Sequence, residues 1–226
     1  MVRFASTCVG LAFCALVGGC QSAELATNAI APSPPADTVA AIPASTFMPA
    51  GDDVAPPSGF LAFCKRDPGQ CATSGAGAAV AHIDPRTWQT LNRVNAAWNG
   101  AITPMEDAAH YGVVDYWTIP VDGYGDCEDY ALAKRKSLSD FGLPQAALRM
   151  AVVRTRGGTA HAVLTVATDR GDYVLDNLNA KVLPWTATGY VWIARQAPGQ
   201  VRWSAIGSAT AGRNLTTADI IETQDR

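Results

Sequence analysis

Clustered positive charge, long apolar runs and histidine are all scarce in this chain of 226 residues. The formal net charge is −3, and no Lys/Arg run exceeds the "KRK" of 134–136. Mild acidity of this kind gives no support for nucleic-acid binding, and the "KRK" is expected on the wet face of a helix. The N-terminal apolar run, from about Val9 to Val17, falls short of the roughly 20 residues that cross a bilayer as a helix. No internal repeat is visible. There are only 3 histidines and 6 cysteines. No His or further Cys lies close enough to Cys64 and Cys71 to complete a zinc site.

What is present begins with a targeting segment. Residues 1–20 read "MVRFASTCVGLAFCALVGGC", with Arg3 ahead of the apolar core and small residues at the end. This suits a secretory signal peptide. The ending "LVGGC" resembles a bacterial lipobox, in which Cys20 takes a lipid. The alternative is an ordinary signal cut near Gly19 or Ser22. Either reading places the mature protein outside the cytoplasm, in the periplasm or cell envelope. Residues 21–57 are rich in Ala, Pro, Ser and Thr, with no helical or strand period. Such a stretch buries too little apolar surface to offset its ordering entropy, and it reads as a flexible tether. The domain is then 58–210, followed by a polar tail at 211–226.

Cys8 and Cys14 leave with the signal. In an oxidising compartment Cys64 and Cys71, around a Pro-Gly turn, are expected to form a disulfide worth about 2–3 kcal/mol. Cys127 is left unpaired.

"HIDPRTWQTLNRVNAAWNGAI" reads as a helix with Asp84 as cap and Pro85 at the first position. Trp88, Leu91, Val94, Ala97 and Trp98 line its core face. A second helix runs from Asp126 to Phe141, stopped by Gly142. Asp126 is its expected N-cap, with Asp129 in the capping-box position. Strands follow at "ALRMAVVRTR", "TAHAVLTVAT", "YVLDNL", "YVWIARQ" and "VRWSAI". Helices first and consecutive strands after predict an α+β domain.

The chemistry centres on "GYGDCEDYALAKRKSL". A thiol on the first turn of a helix sits in the positive end of the dipole, which favours the thiolate. The free backbone N–H of Cys127 can help hold an oxyanion. A thiolate needs a base. His82 precedes a helix cap and His110 has no visible orienting partner, whereas His161 leads an apolar strand. That base needs an orienter. With Arg170 and Gly171 centring the turn, Asp176 shares the face of His161 but lies four residues along the strand, roughly 13 Å away. Asn179 lies closer in that register, and both remain candidates.

"GDCEDYALAKR", "AHAVLTV" and "YVLDNL", with "VVDYW" and "FCKRDPGQC" upstream, resemble the bacterial transglutaminase-like cysteine peptidases, the LapG-like periplasmic proteases. The resemblance spans about residues 58–196. It implies a papain/transglutaminase-like α+β fold, with Cys127 as nucleophile, His161 as base and Asp176 as orienter. It also implies calcium, held by Asp126, Glu128 and Asp129 with carbonyls, waters or an upstream Asn95 or Asn99 completing the shell. Its partners are a protein substrate, a surface adhesin, and an inner-membrane regulatory receptor. Clustered carboxylates raise a thiol's pKa, and a dication reverses that field. Two other readings stay open. An amine acceptor makes the protein a transglutaminase, and an inert site makes it a binding module of the envelope.

Overall fold

A computed structural model describes residues 41–71 and 78–206. The signal segment, Cys20, linker residues 21–40 and the tail 211–226 lie outside those residues. In chain order the elements are β1 (Asp53–Val54), α1 (Ser58–Arg66), α2 (Pro85–Ala101), β2 (Thr103–Pro104), α3 (Asp107–His110), β3 (Tyr124–Gly125), α4 (Cys127–Asp140), β4 (Leu148–Arg154), β5 (Ala160–Thr168), β6 (Gly171–Leu175), β7 (Leu183–Pro184), β8 (Val191–Gln196) and β9 (Trp203–Ala205). Among the described residues no helix is long and apolar enough to cross a membrane.

The helix boundaries have local causes. The Asp84 carboxylate accepts from the Thr87 N–H at 2.7 Å and Pro85 begins α2, which satisfies an orphan donor with a residue that has none to lose. At the end of α4, Gly142 adopts φ +103°. The N–H of Leu143 then reaches Leu138 O at 3.0 Å, and that of Gly142 reaches Ser139 O at 2.9 Å. This is a Schellman closure, which requires the left-handed residue that glycine supplies.

The larger sheet runs β1-β9-β8-β4-β5-β6-β7, all pairs antiparallel. One face carries Leu164, Val166, Tyr173 and Trp203 against Trp88, Leu91 and Leu132 of the helices. The other carries Val153, Val163 and Val174 beneath Trp185, Tyr190 and Trp192. On α2, Trp88 and Leu91 are buried as expected, but Ala97 is exposed and Asn95 takes the buried position.

Three expectations are corrected. First, residues 41–57 are not all tether. The segment from Pro43 to Met48 is strapped along β6: Tyr173 Oη donates to Pro43 O at 2.8 Å, Asp172 N to Thr46 O at 2.9 Å, and Met48 N to Asp172 Oδ2 at 2.6 Å. Backbone hydrogen bonds, invisible in composition, order it. Gly171 permits the approach, since a Cβ there would lie 2.7 Å from Thr46 O. Secondly, Lys134 and Arg135 are buried, and only Lys136 reaches solvent, paired with Asp140 at 2.8 Å. Helix α4 packs on both α2 and the sheet, so it has no wide wet face. Thirdly, the hairpin turn centres on Asp169 and Arg170, because Thr168 faces Gly171 and Leu164 faces Leu175.

Cys64 and Cys71 form the expected disulfide, their Cα atoms 5.5 Å apart. It closes the end of α1, whose first turn is held by Asp115: Gly59 N donates to Asp115 Oδ2 at 2.7 Å.

Candidate active site

Cys127 is the first residue of α4, so its backbone N–H has no intrahelical acceptor. Its thiol is free and half-buried. The sulfur accepts a long hydrogen bond from the Ala162 N–H at 3.4 Å. That contact seats the helix tip against the start of β5, one residue from His161. His161 is buried and its Nε2 pairs with Asp176 Oδ1 at 2.8 Å. Nδ1 is left as the ring nitrogen able to take a proton.

The register explains how Asp176 reaches the ring. Continuing the observed pairing by one residue puts Asp176 opposite Val163, two residues from His161 rather than four. Diagonal neighbours on one face lie roughly 7–8 Å apart, a gap that a His and an Asp side chain span. No bulge is needed. Asn179, the other candidate, instead donates to Asp176 Oδ2 at 2.6 Å. Tyr190 Oη also donates to Oδ2, and Leu178 N to Oδ1 at 2.9 Å. Burial pushes the Asp176 carboxyl up, but the bonds from His161, Tyr190 and Leu178 prevail and hold it at about 2. It is therefore a permanent carboxylate, able to fix one imidazole tautomer.

Asn95 and Asn99 are brought here too, and not to the acidic cluster. Asn95 Oδ1 accepts from Asp176 N at 3.0 Å, and Asn99 Nδ2 donates to Asp176 O at 2.9 Å. Their helix, α2, presents this face to the end of β6, so they position the Asp176 loop rather than a metal. His82 is exposed, bonded to Asp169 at 2.5 Å. His110 does have a partner, Asp122 at 2.8 Å.

The acids around the thiol form one cluster, with Asp107, Glu128 and Asp129 buried and Asp126 half-buried. Asp126 occupies the N-cap position of α4, but its side chain makes no capping bond. Asp129 accepts from Thr118 N at 2.8 Å through Oδ1, and Gly125 makes room for it, since a Cβ there would lie 2.7 Å from Asp129 Oδ2. Asp107, from α3, accepts from Tyr116 N through Oδ2. One oxygen of each, Asp107 Oδ1, Asp126 Oδ1 and Asp129 Oδ2, is buried without a hydrogen-bond partner. Asp107, Asp126 and Asp129 offer oxygens within 4.8 Å of one another. Glu128 lies on the sulfur side, its Oε2 3.2 Å from Cys127 Sγ.

Electrostatics follow from this crowding. Burial, with the neighbouring acids, raises Asp126 to about 6 and Asp129 to about 8, and it raises Asp107 and Glu128 as well. The thiol is pushed up first by burial and then by Glu128 and Asp126. The helix tip alone therefore does not arm this cysteine. Three orphaned oxygens on one spot suit a hard cation, which takes oxygen ligands and offsets such repulsion.

Sequence reasoning missed Asp107 and Tyr190. Asp107 sits in the irregular stretch "PMEDAAH" and Tyr190 in the loop just before β8; neither carries a spacing signal. The acids of "GDCED" alone pointed to a cation, with carbonyls, waters or an asparagine rather than a further carboxylate expected to complete its shell.

The chain matches the family model of the bacterial transglutaminase-like cysteine proteinases (BTLCP, peptidase C93) over residues 50–211. Among solved structures it is similar to calcium-bound Legionella pneumophila LapG, at 24% identity, covering 61% of this chain and 80% of that one, with a TM-score of 0.45. Two further LapG structures from the same organism, one of them EGTA-treated, show 27% and 26% identity, each covering 60% of this chain and 77% of theirs, also at 0.45. No curated protein matches. A family model that spans most of the folded chain, over an α+β scaffold with a cysteine at a helix tip, makes this protein a member of the bacterial transglutaminase-like cysteine peptidases.

Proposed function

We propose that the protein is an exported thiol peptidase in which Cys127 attacks, His161 moves the proton and Asp176 orients the ring, with calcium required for full activity. The observation that carries this reading is the seat of the Cys127 sulfur on the Ala162 N–H, beside a buried His161 whose far nitrogen is held by Asp176. The thiol proton passes to His161 Nδ1, and the sulfur bonds the peptide carbonyl carbon. The Cys127 N–H faces the developing oxyanion. Collapse breaks the C–N bond, the amine leaving with the proton from the imidazolium. Water, deprotonated by His161, then hydrolyses the thioester.

The acids are the strongest support for calcium. Asp107, Asp126 and Asp129 present partnerless oxygens to one point, and Glu128 adjoins them through Asp126 and the thiol. A dication there supplies positive potential beside a sulfur whose own neighbours oppose ionisation. Asp126, Glu128 and Asp129, the acids that the family resemblance implies, would hold the ion together with Asp107.

Peptidases act on proteins, and the signal-like N-terminus favours an envelope or surface protein, such as an adhesin, as the substrate, with Cys20 as a lipid anchor and an inner-membrane receptor as regulator. The test is incubation of envelope protein with wild type and Cys127→Ala, with calcium or EGTA, reading new N-termini and incorporation of a labelled primary amine. New N-termini only from the wild type with calcium are expected. Amine incorporation without new N-termini overturns the peptidase in favour of acyl transfer, and an equally active Cys127→Ala overturns the thiol mechanism.

A further inference from the structure

The hairpin that joins β4 to β5 lies next to the catalytic pair and carries a charge that the chemistry above does not use. Val153 faces His161 across the two strands and Arg154 faces Ala160, so residues 155–159 project past the end of the sheet at which the Cys127 sulfur is seated. The tip is closed by its own backbone. Thr155 N donates to Thr159 O and Gly158 N to Thr155 O, both at 2.9 Å, and Arg154 Nη1 donates to Gly158 O at 3.2 Å. Arg156 sits exposed on this tip and lays its guanidinium on the backbone of Gly189, where a Cβ would collide with Nε and Nη2. Gly189 precedes Tyr190, whose Oη bonds Asp176 and whose ring centre is 5.8 Å from that of His161. The ion pairs among the described residues do not include Arg156.

We propose that Arg156 is a specificity-determining residue, which takes the carboxylate of an Asp or Glu in the substrate a few residues from the scissile bond. This deepens the reading given under Proposed function and rests on it. A guanidinium presents its donors as a fixed planar fork that matches a carboxylate. Here the plane is already laid against Gly189, so less side-chain freedom is lost when a ligand binds. Arg156 follows Val153, the partner of His161, by three residues, which is roughly 10 Å along an extended chain. An extended substrate with its scissile bond at the sulfur therefore brings a side chain two to four positions away to the arginine.

The surrounding charge selects the sign of the ligand. Residues 153–161 hold two arginines and no acid, and residues 177–192 hold the exposed Lys181 and no acid. Asp176 lies between these segments, but it is buried and already bonded to His161, Tyr190 and Asn179. Asp107, Asp126, Glu128 and Asp129 come from α3 and the start of α4 instead. The sheet end of the cleft is thus its basic side, and a substrate carboxylate is attracted there.

The experiment digests a peptide library with the full chain in one calcium-containing buffer. The library is a chymotryptic digest of envelope protein, its amines dimethylated so that lysines keep their charge and new N-termini can be read by mass spectrometry. Wild type, Arg156→Gln and Arg156→Glu are compared, with Cys127→Ala as the blank and thermal melting to verify folding. Wild type is expected to favour Asp or Glu about two- to fivefold at one fixed position two to four residues from the cut, which is what an exposed charge pair contributes. Arg156→Gln should remove that preference, and Arg156→Glu should turn it towards Lys and Arg. Each preference is a ratio within one digest, so a change in overall rate does not mimic it. Wild-type cuts without an acidic preference, or with one that both variants keep, overturn the proposal. Folded variants that no longer cut at all make Arg156 part of the scaffold of the site and overturn it as well. A library left uncut by wild type overturns the peptidase reading itself, and this proposal falls with it.

Discussion

Replacing Asp107 by Asn tests the acidic cluster more sharply than any change at the cysteine. The amide keeps the shape and can still accept from Tyr116 N, the bond that Asp107 makes through Oδ2. Its NH2 then stands where Oδ1 now lies buried and partnerless, within reach of Asp126 and Asp129, whose oxygens are at most 4.8 Å away. Two full charges at such a distance repel by about 3 kcal/mol at an effective dielectric of about 20. Part of that is already relieved, since burial raises Asp126 to about 6 and Asp129 to about 8. We therefore expect the Asn variant to gain about 1–2 kcal/mol without calcium, or roughly 2–8 °C in melting temperature for a domain of this size. With calcium the order reverses. A ligand at a hundred times its Kd stabilises by about 2.7 kcal/mol, and a variant lacking one anionic ligand loses most of that. The assay is thermal melting in EGTA, in calcium and in magnesium. A variant that melts below wild type in EGTA, or that keeps the full calcium shift, refutes the reasoning.

Other outcomes follow from the same geometry. Asp126→Ala should abolish the calcium-induced melting shift while leaving the helical circular dichroism signal intact, because its side chain makes no capping bond. Asp176 has a folded pKa of about 2, below the ordinary 3.8. Its stabilisation of about 2 kcal/mol is therefore present above pH 4 and lost as pH falls towards 2; acid titration of wild type against Asp176→Asn, each followed by urea melts, should show that difference only above pH 4. A chain beginning at residue 58 loses the contacts of Thr46 and Met48 with Asp172 and of Met48 O with Arg195. It should melt well below one beginning at residue 41, since Asp172 and Arg195 are a buried pair 2.5 Å apart whose partners would be stripped away.

Much of the site was legible in one dimension, because its signals are local. A cysteine after a capping-type residue at a helix start, a histidine leading an apolar strand, and an aspartate at the end of the next strand are patterns of neighbours. So were the helix start at Asp84, the helix stop at Gly142, and the turn-closing pair Cys64 and Cys71. The order of helices before strands sufficed for the α+β class. What only the tertiary structure decided was every matter of register, burial and convergence. A one-residue change in the turn centre brought Asp176 to His161 and made Asn179 its support. The packing of α4 on two sides turned a charge run into buried Lys134 and Arg135. The fold of the irregular stretch before the cysteine carried Asp107 to Asp126 and Asp129, some twenty residues on in the chain. Periodicity reports which side of an element is apolar, whereas the meeting of distant polar groups depends on how elements are stacked, and no local pattern encodes that.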